Sequence, residues 1–371
     1  MVNHFEFAKK RLESTPCLVV DAATVRRNLQ RLQDYARQHG LNVRPHTKTH
    51  KSREMARLQL QFGASGLTVA KVGEAEVMRE ECDDLLIAYP TVDAARCGRI
   101  ARLAHTCTVR VAIDSQLAAE RLAEAARSAG STIGILVDQD VGFHRTGLGS
   151  SEAALELAQY VAQQSDALRL DGLFFYPGHV WQPAPQQQQP LEAINELVGE
   201  TLSMWKQAGL EATIVSGGST PTAFQSHYVT HQTEIRPGTS IYNDMNTVRG
   251  GFCELADCAA AIVATVVSTA VAGKAVIDAG TKTLTSDRNV TSPDSGHGHI
   301  LEYPDARLVR LSEEHGEIDL SACSTRPALG ERLTIIPNHI CPCVNLQDQF
   351  FWQTDDGALA PSPVDTRGML L

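Results

Sequence analysis

From Thr15 to Ile241, short apolar runs alternate with stretches of helical spacing, and that alternation leaves few folds open. The runs Thr15–Asp21, Leu41–Val43, Gly66–Lys71, Asp84–Pro90, Val109–Asp114, Ile133–Asp138, Leu170–Pro177, Ala212–Ser216 and Glu234–Ile241 read as strands. Between them, Ala23–Gln38 sets Val25, Leu29, Leu32 and Tyr35 at helical spacing and stops at His39-Gly40. Ser52–Phe62, Glu74–Glu81, Val92–His105, Gln116–Ala129 and Pro190–Gln207 read as helices too. Strand and helix in alternation imply a parallel sheet with right-handed crossovers, and about eight such units is what a closed (β/α)8 barrel requires. An open doubly wound sheet is the competitor, but no Gly-x-Gly-x-x-Gly follows the first run.

The texture changes near Gly250. Beyond it, Ala261–Val271, Lys274–Asp278, Arg307–Leu311, Arg332–Pro337 and Gln349–Thr354 are β-rich runs parted by glycine and proline. A chain of 371 residues exceeds the size at which one core stops growing. We therefore expect a barrel over residues 16–248 and a β-rich domain over 249–371 that takes in 1–15. The glutamine run Gln186–Gln189, between Pro183, Pro185 and Pro190, reads as a long mobile loop.

A net charge of -10 argues against non-specific nucleic-acid binding, and no apolar run is long enough to cross a bilayer. Met1–Lys10 lacks the apolar core of a signal peptide, and nine cysteines in no regular framework suit a reducing compartment. The expectation is a cytoplasmic protein.

Chemistry gathers at the ends of the strands, where α/β barrels keep their active sites. Arg44-Pro45-His46-Thr47-Lys48-Thr49-His50-Lys51 crowds five basic side chains behind Leu41–Val43, and Pro45 should end that strand. A half-buried lysine among other cations loses some of its preference for the proton and can form a Schiff base with a carbonyl. A solvated basic loop is the plainer alternative. His144 and Arg145 follow another strand, Tyr176 and His179 a third, and Tyr242, Asn243 and Asp244 the last.

Ser216-Gly217-Gly218-Ser219-Thr220 has the make-up of an anion cradle, since glycines let backbone amides approach and hydroxyls add donors. A Schiff-base lysine and a phosphate cradle on one barrel suggest pyridoxal 5'-phosphate. Arg145 is then a candidate donor to the pyridine nitrogen, or else a surface arginine. In the β-rich part, His339 and Cys341 stand two residues apart, which in an extended segment puts both side chains on one face. Imidazole with thiolate suits zinc, and two protein ligands leave positions for water and substrate. Cys343 shares the phase and is either a third ligand or inert; a buried pair without metal is the plain alternative.

Taken together, Arg44-Pro45-His46-Thr47-Lys48, Tyr176-Pro-Gly-His179, Ser216–Thr220, Glu234-Ile-Arg-Pro-Gly-Thr239 with Tyr242-Asn243-Asp244, Asp278-Ala-Gly and Pro337-Asn-His-Ile-Cys341 resemble the D-threonine aldolase and D-serine dehydratase family of fold-type III pyridoxal-phosphate enzymes. The resemblance implies an alanine-racemase-like barrel with a C-terminal β domain, and a homodimer. It makes Lys48, not Lys51, the Schiff-base lysine and matches Arg145 to the pyridine nitrogen. Tyr176 falls near the cofactor, and Gly218, Ser219, Tyr242 and Asn243 fall at its phosphate. His339 and Cys341 match the metal pair, for zinc or manganese.

Family members resembling the dehydratases carry His-x-Cys here and the aldolases tend to His-x-Asp, so the expected reaction is loss of water from a D-β-hydroxyamino acid. The product would be a 2-oxo acid with ammonia. The alternative is retro-aldol cleavage to glycine and an aldehyde, with His50 or His179 as base. A racemase or a non-catalytic cofactor carrier ranks below both: Tyr303 lacks the context of a racemase acid, and a carrier would not need the β domain. Lys48→Ala is expected to abolish the visible absorption of the bound cofactor; a retained band would contradict the assignment.

Overall fold

The computed structural model describes residues 4–354 and 356–371. The chain divides into two compact units. One comprises Arg31–Lys48, Arg53–Gly238 and Met369–Leu371; the other comprises the segment ending at Gln30, Thr49–Ser52 and Thr239–Gly368.

The first unit is a closed parallel barrel. Its eight strands are Asn42–Val43, Leu67–Val69, Asp84–Ile87, Thr108–Ile113, Ile133–Gln139, Leu168–Phe175, Ile214–Gly217 and Glu234–Ile235, with each paired neighbour parallel. The first strand pairs with the last. Beyond it, His46 bridges Thr68, with Thr47 N–H donating to Thr68 C=O at 2.8 Å, so the sheet closes on itself.

Strands buried on both faces need apolar residues in both phases. One phase (Leu85, Ile87, Val111, Ile113, Ile135, Val137, Leu173, Phe175) packs on helix residues such as Ile100, Leu122, Leu157, Val161 and Trp205. The other phase places Leu86, Ala112, Leu136 and Phe174 together in the interior. Polar caps set where the helices begin: Asp93, Ser115 and Ser150 each accept the N–H three residues on.

Toward the strands' N-terminal ends the interior is charged instead of apolar. Arg44 Nε donates to both Glu234 oxygens at 3.0 Å, and its terminal nitrogen donates to Asp84 at 2.6 Å. Asp84 also pairs with Arg110, and Arg110 with Asp171 at 2.7 Å. Gly66 makes room for this: a Cβ there would lie 2.0 Å from the Arg44 guanidinium. The first basic residue of the 44–51 stretch is thus neutralised inside the barrel and does not crowd the lysines.

The second unit is built on a mixed sheet. Cys17–Asp21, read from the sequence as the entry to the alternating pattern, lies here. It runs antiparallel to Ala260–Ser268 and parallel to Gln349–Gln353. Arg332–Pro337 flanks Ala260–Ser268 on its other side. Phe5, Val19, Ala261, Val263 and Ile336 form its core.

The glutamine run is not a long loop. It starts the Gln188–Gln207 helix, and buried Gln187 donates to the carbonyls of Gln182 at 2.8 Å and Pro221 at 3.1 Å. No helix among the described residues is long and apolar enough to cross a membrane. Removing the charge of Glu234 leaves Arg44 buried beside an amide. Glu234→Gln is expected to lower unfolding free energy by about 3–5 kcal/mol, read by denaturant titration.

Candidate active site

In the barrel unit, Lys48 lies at the end of the turn that follows Asn42–Val43, and its side chain is exposed, not half-buried as expected. Its own N–H points to His46 Nδ1 at 3.4 Å.

Arg145 is carried on the loop after Ile133–Gln139. That loop is wound around Asp140, whose Oδ1 accepts the N–H groups of Gly142, Phe143 and His144, each at 3.0 Å. Burial raises the Asp140 pKa, but those donors and the His144 ring, at 2.6 Å from Oδ2, hold it below the ordinary carboxylate value. The loop's far end is tied down by Thr146 to Asp138 at 2.9 Å and by Gly147 N–H to Asp114 at 3.0 Å. Arg145 itself is exposed, 4.7 Å from the Tyr176 ring centroid, with Phe143 edge-on to the same ring. Tyr176 and Arg145 therefore meet, as a cation on an aromatic face.

His179 packs against Gly142, and burial holds its pKa below the ordinary imidazole value despite nearby Asp140. Burial therefore favours its neutral form, which can accept a proton.

The Ser216–Thr220 segment leaves the Ile214–Gly217 strand through Gly218, at φ +82°, where a side chain would be strained and would press on Ile235. Ser219, 4% exposed, shares a 3.0 Å contact between its hydroxyl and that of Thr222. Ser219 N–H in turn donates to Thr222 Oγ1 at 3.1 Å.

In the second unit, Tyr242 is fully buried and Asn243 takes a left-handed φ of 53°, its amide donating to Asp257 C=O at 3.2 Å. The next residue, Asp244, caps the Met245–Arg249 helix through Thr247 N–H at 3.0 Å, and its other oxygen accepts Ile340 N–H at 3.1 Å. One carboxylate so ties the Tyr242-Asn243 turn to the segment bearing His339.

His339 is extended, but Cys341 is not: the helix Ile340–Leu346 begins between them. The same-face argument from a strand therefore does not hold. His339 and Cys341 still stay within hydrogen-bonding reach of each other, while Cys343, half a helical turn on, points away and donates to Leu284 C=O at 3.2 Å. Cys343 is fully buried, and burial pushes its thiol well above the ordinary value, so it is inert packing.

His339 Nδ1 lies 3.0 Å from Asp287 Oδ2. Burial pulls the imidazole down, but Cys341, Asp244 and Asp287 together hold it up at about 9. A carboxylate on Nδ1 leaves Nε2 for a metal, the usual arrangement of a metal-binding histidine. The Cys341 sulfur is ringed by the hydroxyls of Thr49 at 3.2 Å and Thr239 at 3.6 Å, which can donate to a thiolate. This donor set fits zinc or another thiophilic divalent ion, although no three His, Cys, Asp or Glu side chains are grouped as a fuller site among the described residues.

His50 is buried and its Nδ1 accepts Ser52 N–H at 3.1 Å, so the neutral ring carries its proton on Nε2 and can donate from there. Lys51 is likewise occupied, its ammonium 3.4 Å from Thr366 C=O.

Two side chains were passed over in the sequence. Arg236 is 5% exposed and donates to Ser216 Oγ and to Phe175 C=O, both at 2.7 Å. Burial lowers it to about 10, so it remains a cation. The signal was its place at a strand end in Glu234–Ile241. Asp138 looked like one more strand-end aspartate, but burial raises it to about 6, with Asp114 adding and Thr146 opposing.

A carboxyl whose folded pKa lies above its unfolded value of 3.8 binds more protons when folded. It stabilises below pH 4, and that contribution is lost as pH rises through 6. Asp138→Asn should abolish a loss of about 2 kcal/mol in stability between pH 4 and pH 6.5, measured by chemical denaturation at each pH.

Residues 20–246 match the alanine racemase N-terminal domain, and residues 259–352 a putative serine dehydratase domain. The chain is 31% identical over 348 residues to D-threo-3-hydroxyaspartate dehydratase of Delftia sp. (strain HT23), spanning 88% of this chain and 90% of that one. It is 29% identical over 366 residues to 3-hydroxy-D-aspartate aldolase of Paracoccus denitrificans (strain Pd 1222), spanning 95% and 92%.

Among solved structures, D-threonine aldolase from Filomicrobium marinum superposes with a TM-score of 0.88 at 30% identity, over 96% of this chain and 97% of that one. The Delftia dehydratase superposes with the same TM-score, 0.88, at 28% identity, over 96% and 98%. A D-threo-3-hydroxyaspartate dehydratase has also been solved with a histidine replaced by alanine, and with a cysteine two positions further on replaced by alanine, the latter in a metal-free form. The chain belongs to the alanine-racemase-like family of D-threonine aldolases and D-serine dehydratases, lyases of D-hydroxyamino acids.

Proposed function

We propose that the protein is a pyridoxal-phosphate- and metal-dependent lyase that removes water from a D-β-hydroxyamino acid, giving a 2-oxo acid and ammonia. The observation that carries this reading is the His339–Cys341 pair, with Asp287 on His339 Nδ1. It has the residue types and spacing of the two positions replaced in the D-threo-3-hydroxyaspartate dehydratase variants.

The cofactor, when bound, supplies an electron sink for a carbanion at Cα, and zinc or manganese supplies Lewis acidity at the β-hydroxyl. Lys48 carries the cofactor and, once released, takes the Cα proton on Nζ. Gly218, Ser219, Tyr242 and Asn243 are the candidates for holding the phosphate. Arg145 donates toward the pyridine nitrogen; buried Arg236 is the second candidate, since a donor shielded from water holds its partner more firmly. Tyr176 orients Arg145 through its ring face. His339 and Cys341 hold the metal, Asp287 fixes the imidazole, and Thr49 and Thr239 favour the thiolate.

Retro-aldol cleavage is the second reading, and neutral His179 favours it, because that step needs a base at the β-hydroxyl. His50, with Nδ1 already engaged, acts as a donor in either case. Racemisation is disfavoured: the Tyr303 hydroxyl is bound to Glu331 at 3.0 Å, and burial with that carboxylate raises it to about 12. A homodimer belongs to the same reading, and nine cysteines with no disulfide are consistent with the cytoplasm.

The protein, supplied with pyridoxal phosphate and zinc or manganese, is incubated with D-threonine, D-serine and D-3-hydroxyaspartate. A 2-oxo acid with ammonia is expected; glycine with an aldehyde would establish the aldolase instead. A chelator should stop turnover while leaving the visible band in place, and added zinc or manganese should restore it. Turnover that survives chelation would remove the role given to His339 and Cys341.

A further inference from the structure

Asn338 stands directly before His339 and has no part in the reaction above. It follows the Arg332–Pro337 strand and is 1% exposed. Its side-chain amide donates twice, to Asp287 C=O at 3.1 Å and to Gly296 C=O at 2.8 Å. Two carbonyl acceptors fix which end of the amide is nitrogen, since the flipped group would set oxygen against oxygen. Its own Oδ1 then has no partner among the described residues. A buried acceptor left unpaired costs stability, so Asn338 is held for its two donors and not for packing.

The segment that carries Asp287 has no regular structure to support it. Residues 285–292 contain neither helix nor strand, and Thr285, a β-branched residue, takes a left-handed φ of 64°. Buried asparagines seat the segment instead. Asn338 binds the Asp287 carbonyl, Asn246 Oδ1 accepts Val290 N–H at 2.9 Å, and Asn289 donates to Met245 C=O at 2.9 Å. Thr285 Oγ1 adds a contact to Asp287 N–H at 3.2 Å. The Asn338 carbonyl also accepts Asn246 N–H at 3.1 Å, which closes the clamp on the Met245–Arg249 helix.

His339 depends on this clamp because its link to Asp287 is weak by itself. The two side chains are 40% and 43% exposed, and an open pair of that kind does not hold two side chains in one geometry. Asn338 is joined to both partners, to His339 through the peptide bond and to Asp287 through its amide. On the far side of His339, Asp244 accepts Ile340 N–H at 3.1 Å. Main-chain anchors therefore set the 3.0 Å contact between Asp287 and His339 Nδ1.

We propose that Asn338 is a positioning residue for the metal pair. It holds the Asp287 main chain against His339, so that the carboxylate keeps Nδ1 and leaves Nε2 to the ion. This rests on the metal role given to His339 and Cys341 above and adds the residue that orients their partner.

The test uses the protein with pyridoxal phosphate bound, stripped of metal and titrated with zinc against a chromophoric chelator. Wild type is compared with Asn338→Ala and Asn338→Leu, and both changes are repeated in an Asp287→Ala background. Leucine fills nearly the same volume without donors, so it decides the question where the alanine variant does not fold. Loss of the Asn338 amide should raise the zinc Kd about tenfold or more. With Asp287 already removed, the same change should alter the Kd by less than about twofold, because Asn338 acts through Asp287.

A zinc Kd within about twofold of wild type in Asn338→Leu overturns the assignment, and so does an equal loss with and without Asp287. In either case the metal role of His339 and Cys341 stands. A zinc affinity that His339→Ala leaves unchanged would bring down that role and this one together.

Discussion

Arg44, buried between Glu234 and Asp84, is the contact on which the barrel's working end depends. It joins the first strand to the last and to the third, and through Asp84 and Arg110 the charges extend to Asp171 on the sixth. Each ion is paired, and that is the condition under which charge inside a barrel is tolerated; removing one partner would leave another stranded. Four residues after Arg44 comes Lys48. The turn bearing it is held by Thr47 and Pro45, both bonded to Thr68. The network and the closing bridge together set where the chain leaves the barrel, and so where Lys48 stands.

The second unit solves a different problem, which is to hold His339 and Cys341 together without burying them. Asp244 does so with one carboxylate, capping its own helix with one oxygen and holding Ile340 N–H with the other. Burial raises the pKa of that carboxyl, while His339 opposes the rise. The turn after His339 puts Cys341 at the start of a helix and sends Cys343 into the core. Elimination and retro-aldol cleavage share all these parts. They differ in which bond to Cβ breaks, and hence in whether the metal pair or a base such as His179 does more at the β-hydroxyl.

Much of this was readable from residue order. Alternating apolar runs imply a parallel barrel because a strand buried on both faces has no other way to be apolar throughout, and the (β/α)8 sheet is there. The candidate residues were chosen for a related reason: barrels use strand ends, and Arg145, Tyr176, His179 and Ser219 follow such ends. What was not readable depended on partners distant in sequence. Cys17–Asp21 looks like any entering strand until Ala260–Ser268 and Gln349–Gln353 pair with it. Arg44 looked like one of a basic cluster, because Glu234 lies far along the chain. His-x-Cys looked extended, because a helix start three residues after a strand leaves no trace in spacing. The glutamine run looked mobile, because nothing local predicts that Gln187 will bond to Pro221.

The account stands most directly on Lys48 as the residue that holds the cofactor. Reducing the holoprotein with borohydride would fix the cofactor to its lysine, and mass mapping of the peptides would identify that lysine. The account predicts the added mass on Lys48, within the segment bonded to Thr68. Added mass on Lys51, which is engaged with Thr366, or on no lysine, would contradict it.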